Sequence, residues 1–239
     1  MNYHSLTSQR LHDSLGALIA QTPPGDRLLS EPELARQMGV SRATLREAMR
    51  TFETQGVIRR RQGSGTYVVH PAPVMESGLE MLESIETLAE RIGLSVSMGE
   101  MRIQLRPCSI EEGHALGIPA GNNVIHLRRV ILAQDRQIAF LVDLIPDDLL
   151  SPEDLTHGFT GSVLDFFNQR GLPNLSTSRC NINAVNATKE VARSLGIQRG
   201  DVLLRFESFL YDIGGRVVDY SFSYFLPGYF RFHVVRRVV

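Results

Sequence analysis

The 239-residue chain has no tryptophan, two cysteines and, among its 25 basic residues, a single lysine, Lys189. Cys108 and Cys180 form neither a disulfide framework nor a metal-binding spacing, which points to a reducing compartment, the cytoplasm. No apolar run approaches a bilayer's thickness. The longest, such as Ile138–Val142, are strand-sized, so no membrane partner is expected. The polar first residues lack the apolar core of a signal peptide. Also missing are a strand-to-helix serine elbow, a His-Glu-x-x-His helix and a phosphate-cradling glycine loop. No catalytic residue, metal ligand or cofactor is therefore expected.

What is present suffices for two modest domains: 43% hydrophobic and 21% charged residues over this length can bury a real core. A formal net charge of −1 argues superficially against a polyanionic partner, but the charge is unevenly placed. Residues 1–75 hold nine arginines against six carboxylates, and residues 76–239 hold sixteen cations against twenty. Binding answers to the local field of one domain, and that of the first is basic.

Composition changes near residue 75, where His70-Pro71-Ala72-Pro73 reads as an extended joint. Beyond it, Leu79, Leu82, Ile85, Leu88, Ala89 and Ile92 recur near a 3.6 period and predict an amphipathic helix over 77–92 acting as a connector. From about Glu100 onward strands mix with a few helices. Asn123–Ala133 and Gln137–Ile145 read as a hairpin across Gln134-Asp135-Arg136, and Val202–Ile213 with Arg216–Phe225 as another across Gly214-Gly215. Helices fit Ile110–Leu116, Ser162–Gln169 and Thr188–Leu195. The class is multidomain, a helical first part followed by an α+β part.

The first part carries the sharper pattern. Leu11, Leu15, Leu18 and Ile19 share one face of a helix over 7–21. Ser30 and Glu33 form a capping box around Pro32, starting a second helix that stops at Gly39. Ser41 caps a third, in which Leu45, Ala48, Met49 and Phe52 make one buried stripe. Arg46 and Arg50 project roughly opposite that stripe, Arg42 stands in the first turn, and Thr44 flanks the surface. Helix, tight turn and arginine-bearing helix is the helix-turn-helix pattern. The major groove admits one such helix, and arginine can bridge guanine O6 and N7 with two donors. Ser41 and the neighbouring amides suit a phosphate. Val57-Ile58-Arg59-Arg60-Arg61, a turn at Gln62-Gly63-Ser64-Gly65, and Thr66-Tyr67-Val68-Val69 then read as a glycine-tipped wing. Three adjacent arginines alone usually mark a solvated face; the joint order and spacing carry the reading.

The segment LSEPELARQMGVSRATLREA followed by GVIRRRQGSGTYV resembles the winged helix-turn-helix of the GntR family of bacterial transcription regulators, over residues 5–70. The resemblance implies double-stranded operator DNA as partner, with contacts from Arg42, Thr44 and Arg46 on the recognition helix and from Gln62 and Gly63 at the wing tip. Ser41 at the helix start and Arg27 are candidate backbone contacts. Leu29 stands where the family usually has proline, and Pro32 where some members place a base-reading arginine.

The second part offers little chemistry of its own. His114, His126, His157 and His233 are scattered and read as structural or surface groups. In Arg128-Arg129, set among apolar residues, one side chain must point inward if the strand is regular, and a buried arginine needs an anionic partner, an internal carboxylate or a ligand. Residues 98–235 resemble the effector-binding UTRA domain of the HutC subfamily, with a chorismate-lyase-like, mixed antiparallel fold. The segments carrying the likeness are LGIPAGNNVIHLRRVILAQDRQIAFLVDLIP, FTGSVLDFF, INAVNATKEVARSLGIQRGDVLLRFESFLYDIGGRVVDYS and FLPGYFRF. The resemblance implies an effector pocket at Arg129 or Arg128, Ser162 and Asp219, with Arg179 a further candidate. Ile131 and Leu141 replace an arginine and a frequent glutamate, and Leu164 a frequent tyrosine. VIHLR, LVD and GSVLDF are most similar to regulators of phosphonate utilisation within the subfamily.

The domain organisation expected is therefore a DNA-binding domain over 1–75, a connector over 76–97 and an effector domain over 98–239. The function expected is a homodimeric repressor, released from a pseudo-palindromic operator by a small anionic effector metabolite. The alternatives are a lyase-like enzyme using the C-terminal pocket and a constitutive architectural DNA binder.

Overall fold

The computed structural model describes residues 3–61, 64–69, 74–156 and 158–238. The chain divides into two compact units, Met1–Val74 with Pro227–Tyr229, and Met75–Leu226 with Phe230–Val239.

The first unit holds helices α1 (Tyr3–Gln21), α2 (Glu31–Gln37) and α3 (Arg42–Thr54), then a hairpin of β1 (Ile58–Arg61) and β2 (Gly65–Val68). Local chemistry sets the helix starts. The Glu33 carboxylate accepts the Ser30 N–H at 2.9 Å, and the Ser41 hydroxyl accepts the Thr44 N–H at 3.1 Å, each satisfying an amide with no partner inside the helix. Leu45, Met49 and Phe52 of α3 pack with Leu11, Leu15 and Ile19 of α1, Leu34 of α2, and Ile58 and Val68 of the hairpin. Residues 25–28 widen the hairpin: Gly25 N–H donates to the Val68 carbonyl and Leu28 N–H to that of Thr66, both at 2.8 Å.

The second unit holds β3 (Met75–Gly78), α4 (Ile85–Arg91), β4 (Val96–Pro107), α5 (Ile110–Leu116), β5 (Asn123–Ala133), β6 (Arg136–Pro146), α6 (Val163–Arg170), β7 (Leu175–Asn186), α7 (Lys189–Leu195), β8 (Val202–Asp212), β9 (Val217–Phe225) and β10 (Phe230–His233). Six strands form one antiparallel sheet in the order β4-β5-β6-β9-β8-β7. One face buries Ile125 and Leu127 against Val163 and Phe167 of α6. The other buries Val124, Leu144 and Phe209 against Leu116 of α5.

The helix expected over 77–92 is a correction. Only Ile85–Arg91 is helical. Residues 75–78 form a strand parallel to β10, with Met75 opposite Phe230 and Gly78 opposite His233. The 3.6 spacing extended too far because Leu79 and Leu82 counted as core, whereas both are exposed.

The sheet is an internal duplication. The run β4-α5-β5-β6 repeats as β7-α7-β8-β9, with each residue 79 positions further on. Ser109 and Thr188 cap the two helices through the N–H groups of Glu112 and Val191. Cys108 and Ala187 make the same return bond, each donating its N–H to a backbone carbonyl, that of Asn122 and that of Asp201. Arg106 pairs with Val124 as Val185 does with Leu203. Both helices end on a left-handed glycine, Gly117 at φ 68° and Gly196 at φ 64°. A side chain in that conformation costs about 1–2 kcal/mol. Gly117→Ala and Gly196→Ala are each expected to lower the melting temperature of the second unit by a few degrees, and by similar amounts, in a calorimetric scan.

The two copies differ in charge. At α5 the Glu112 carboxylate takes two bonds from the Arg106 guanidinium, both 2.7 Å, and the Ser109 N–H at 2.8 Å. The arginine bonds, helped by that amide, hold Glu112 down at about 2, against an ordinary value of 4.5. A depressed carboxylate adds stability above its unfolded pKa and loses it as pH falls through the folded one. Acid melting between pH 4.5 and about 2 is therefore expected to flatten in Glu112→Gln, which is also less stable than the parent at neutral pH.

Candidate nucleic-acid interface and effector site

In the first unit the side chains of Ser41, Arg42, Thr44 and Arg46 are all exposed along the start of α3. The Ser41 hydroxyl lies 2.8 Å from that of Thr44, so two of the expected contacts form one polar cap. Arg46 Nε donates to Glu31 at 2.5 Å. The other oxygen of Glu31 lies 3.4 Å from Nε of Arg60 on β1. Glu31 thus ties the basic side of α3 to the first wing strand, so both flank one surface. Sequence reasoning missed Glu31, because nothing in the spacing distinguishes a bridging carboxylate from an ordinary first-turn acid.

The wing uses its three arginines differently. Arg59 and Arg61 are exposed, and the Arg61 guanidinium lies 5.1 Å from the centre of the Tyr67 ring. Arg60 turns inward and also lies within 3.9 Å of the Glu53 carboxylate. Alternation along the strand accounts for the division. Arg27 is exposed and bridges by its backbone to Tyr67, which puts it beside the wing. Gln62 and Gly63 lie outside the described residues.

In the second unit the five expected effector residues fall on two faces of the sheet. Arg129, Ser162 and Asp219 come together on the α6 face, where all three are buried. The Arg129 guanidinium donates to the Asp143 carboxylate and to the Gly161 carbonyl. It also lies 5.5 Å from the centre of the Phe159 ring. The inward arginine has thus found an internal carboxylate. Ser162 caps α6, accepting the Asp165 N–H at 3.0 Å.

Two further carboxylates crowd this cluster. Burial, then the negative charge of Asp143, push the Asp219 carboxyl well above its usual range. Its Oδ1 is buried with no hydrogen-bond partner. Burial likewise raises Glu86 of α4, which is close enough to Arg129 and Asp165 to feel both. Leu141 stands directly opposite Arg129 across the hairpin, and Ile131 is buried on the same face. The cluster therefore holds one guanidinium, already paired, among three acids. A lone acid in the apolar run LVDLI was the signal that could have identified Asp143.

Arg128 points to the opposite face, into an open cleft beside α7. Its Nη1 donates to Glu190 at 2.7 Å. Arg179 lies exposed on the edge strand β7, its guanidinium 4.4 Å from the centre of the Phe209 ring. Four strand spacings separate Arg179 from β5, about 19 Å at the usual interval, so Arg128 and Arg179 do not share a site with the buried cluster. Among the described residues no group of acids, histidines and cysteines is arranged to hold a metal ion. No helix there is long and apolar enough to cross a membrane.

Comparison with known proteins agrees with this division. The UTRA domain family matches residues 91–231, and the family of bacterial regulatory proteins described as gntR matches residues 7–68. The chain is 29% identical over 200 residues to the HTH-type transcriptional repressor NagR of Bacillus subtilis, covering 84% of this chain and 81% of that one. It is 26% identical over 236 residues to the mannosyl-D-glycerate transport/metabolism system repressor MngR of Escherichia coli, covering 98% and 97%. Among solved structures, PhnF from Mycobacterium smegmatis superposes with a TM-score of 0.65 at 20% identity, covering 96% of this chain and all of that one, a likeness of fold.

Proposed function

Because the chain belongs to the GntR-type bacterial regulators that carry a UTRA domain, we propose that it is a homodimeric, ligand-responsive repressor of a small-metabolite pathway in the cytoplasm. It is a transcription regulator and not an enzyme, as its family and relatives are. Residues 1–75 read the operator, residues 98–239 receive the effector, and 76–97 join them. Arg42, Thr44 and Arg46 enter the major groove, Ser41 and Arg27 meet the DNA backbone, and the wing tip at Gln62 and Gly63 approaches the minor groove. The effector is a small organic anion, a phosphonate or a related compound.

The observation that carries this reading is the Glu31 bridge, because a reading helix and a wing are useful only on the same side of the unit. Ligand control requires that the effector bind the DNA-competent and released arrangements differently, with a coupling of about 1–3 kcal/mol. Selection from a random duplex library is the test. A dimer enriches two inverted half-sites about one helical turn apart or a multiple of it. Enrichment of no motif sinks the repressor reading; enrichment of a single half-site sinks the dimer.

A further inference from the structure

We propose that the cleft between α7 and strands β4 and β5 is a receptor for a small organic oxyanion, a carboxylate, phosphonate or phosphate ester carried on an apolar body. The cleft measures about 570 Å³ and lies on the sheet face away from the Arg129 cluster, within the size range of small-molecule sites. Arg102, Arg128, Lys189 and Arg193 line it, against Glu100 and Glu190. Each acid is taken by one arginine, Glu100 by Arg102 at 2.5 Å and Glu190 by Arg128 at 2.7 Å. No ion pair among the described residues takes up Lys189 or Arg193, which stand one turn apart on the same side of α7. Two positive charges are left to face the opening.

Arg128 also keeps an unused donor there: its Nε is buried without a hydrogen-bond partner. Val130, Leu132 and Phe140 supply an apolar wall. Strand β4 breaks register between Met98 and Met101, at the cleft's edge, and such bulges commonly re-aim side chains beside binding sites.

The internal duplication provides a control within the same molecule. The positions equivalent to Arg102, Arg128, Lys189 and Arg193 in the other copy are Asn181, Glu207, Ile110 and His114. None is a permanent cation, so the positive charge is not a consequence of the repeated fold. The buried cluster is a poor rival for an anion, which would have to displace Asp143 from Arg129.

Lys189 is the chain's only lysine, so its acetylation by an N-hydroxysuccinimide ester reports on this cleft alone among side-chain amines. Millimolar phenyl phosphate is expected to slow acetylation of Lys189 several-fold, read by peptide mass spectrometry, while benzyl alcohol leaves it unchanged. A ³¹P line-width titration of phenyl phosphate against the full chain should give a Kd that rises at least tenfold in the Lys189→Gln/Arg193→Gln variant. Both positions are exposed, and its thermal melt is expected to match the parent's. Absence of protection, or equal affinity in parent and variant, overturns the receptor. Duplex binding measured on the same samples is independent: its failure would count against the repressor reading and leave the cleft standing.

Discussion

Arg129→Met alone is expected to destabilise the second unit by about 3–5 kcal/mol, because it leaves the Asp143 carboxylate buried without its cation. Asp143→Leu alone should cost a similar amount by stranding the guanidinium. The double variant, Arg129→Met/Asp143→Leu, should recover most of the loss, since a buried ion pair replaced by apolar groups of like volume is often near neutral. Both side chains are buried, so solvent does little to soften either single change. Urea melts of the three variants and the parent form the cycle. If the double variant is as unstable as the sum of the singles, the pair is not acting as a unit and the assignment of charges within this cluster is wrong.

Asp219 gives the cycle a pH signature. Its raised pKa means that the folded chain holds a proton on this carboxyl that the unfolded chain releases. A raised carboxylate favours folding fully below its unfolded pKa and loses that advantage as pH rises through the folded one. Asp219→Asn, which cannot ionise, is expected to be less sensitive than the parent to alkaline shifts above the ordinary carboxylate range. A parent and variant whose melting temperatures keep a constant difference from pH 4 to pH 9 would show that Asp219 does not carry the proton.

The same cluster shows what could be read in the sequence. Strand alternation required one of Arg128 and Arg129 to face inward, and the residues alone left an internal acid or a ligand as its partner. Family likeness then drew both arginines, Ser162, Arg179 and Asp219 toward one pocket. A strand sends adjacent side chains to opposite faces, so Arg128 and Arg129 were bound to part, and Arg179 lies at the far edge of the sheet. Local signals fared better. The capped helix starts at Ser30 and Ser41, the short helices over Ile110–Leu116 and from Thr188, and the hairpin at Gly214-Gly215 were legible because caps and turns act within a few residues. The strand at Met75–Gly78 was not, because its partner lies at the other end of the chain: Glu76 and Arg231, ion-paired at 2.6 Å, are 155 positions apart. The duplication leaves only a short trace in the chain, LGIPAG and LGIQRG 79 residues apart, because most of the equivalent positions share a backbone conformation and not a residue.

Arg42→Ala is expected to reduce affinity for the selected operator by about 1–3 kcal/mol, roughly 5- to 150-fold, if its guanidinium reads a base edge. The loss should appear on the operator and hardly at all on random duplex. Arg46 starts from a different position, since its charge is shared with Glu31 at 2.5 Å. To reach the duplex it must leave that carboxylate, so Arg46→Ala should cost less than Arg42→Ala. Glu31→Gln tests this directly. It removes a negative charge from the binding surface and frees Arg46, while Arg60 stays turned inward beside Glu53, so binding to random duplex should tighten while the ratio of operator to random affinity falls. Salt titrations separate the roles. Removing a cation that neutralises a phosphate lowers the slope of log affinity against log salt by about 0.9, whereas removing a group that reads only a base edge leaves the slope nearly unchanged. Fluorescence anisotropy on both duplexes across a salt series measures affinity and slope for each. Equal losses on operator and random DNA in Arg42→Ala would move that residue from base reading to backbone neutralisation. No loss on either would remove α3 from the interface.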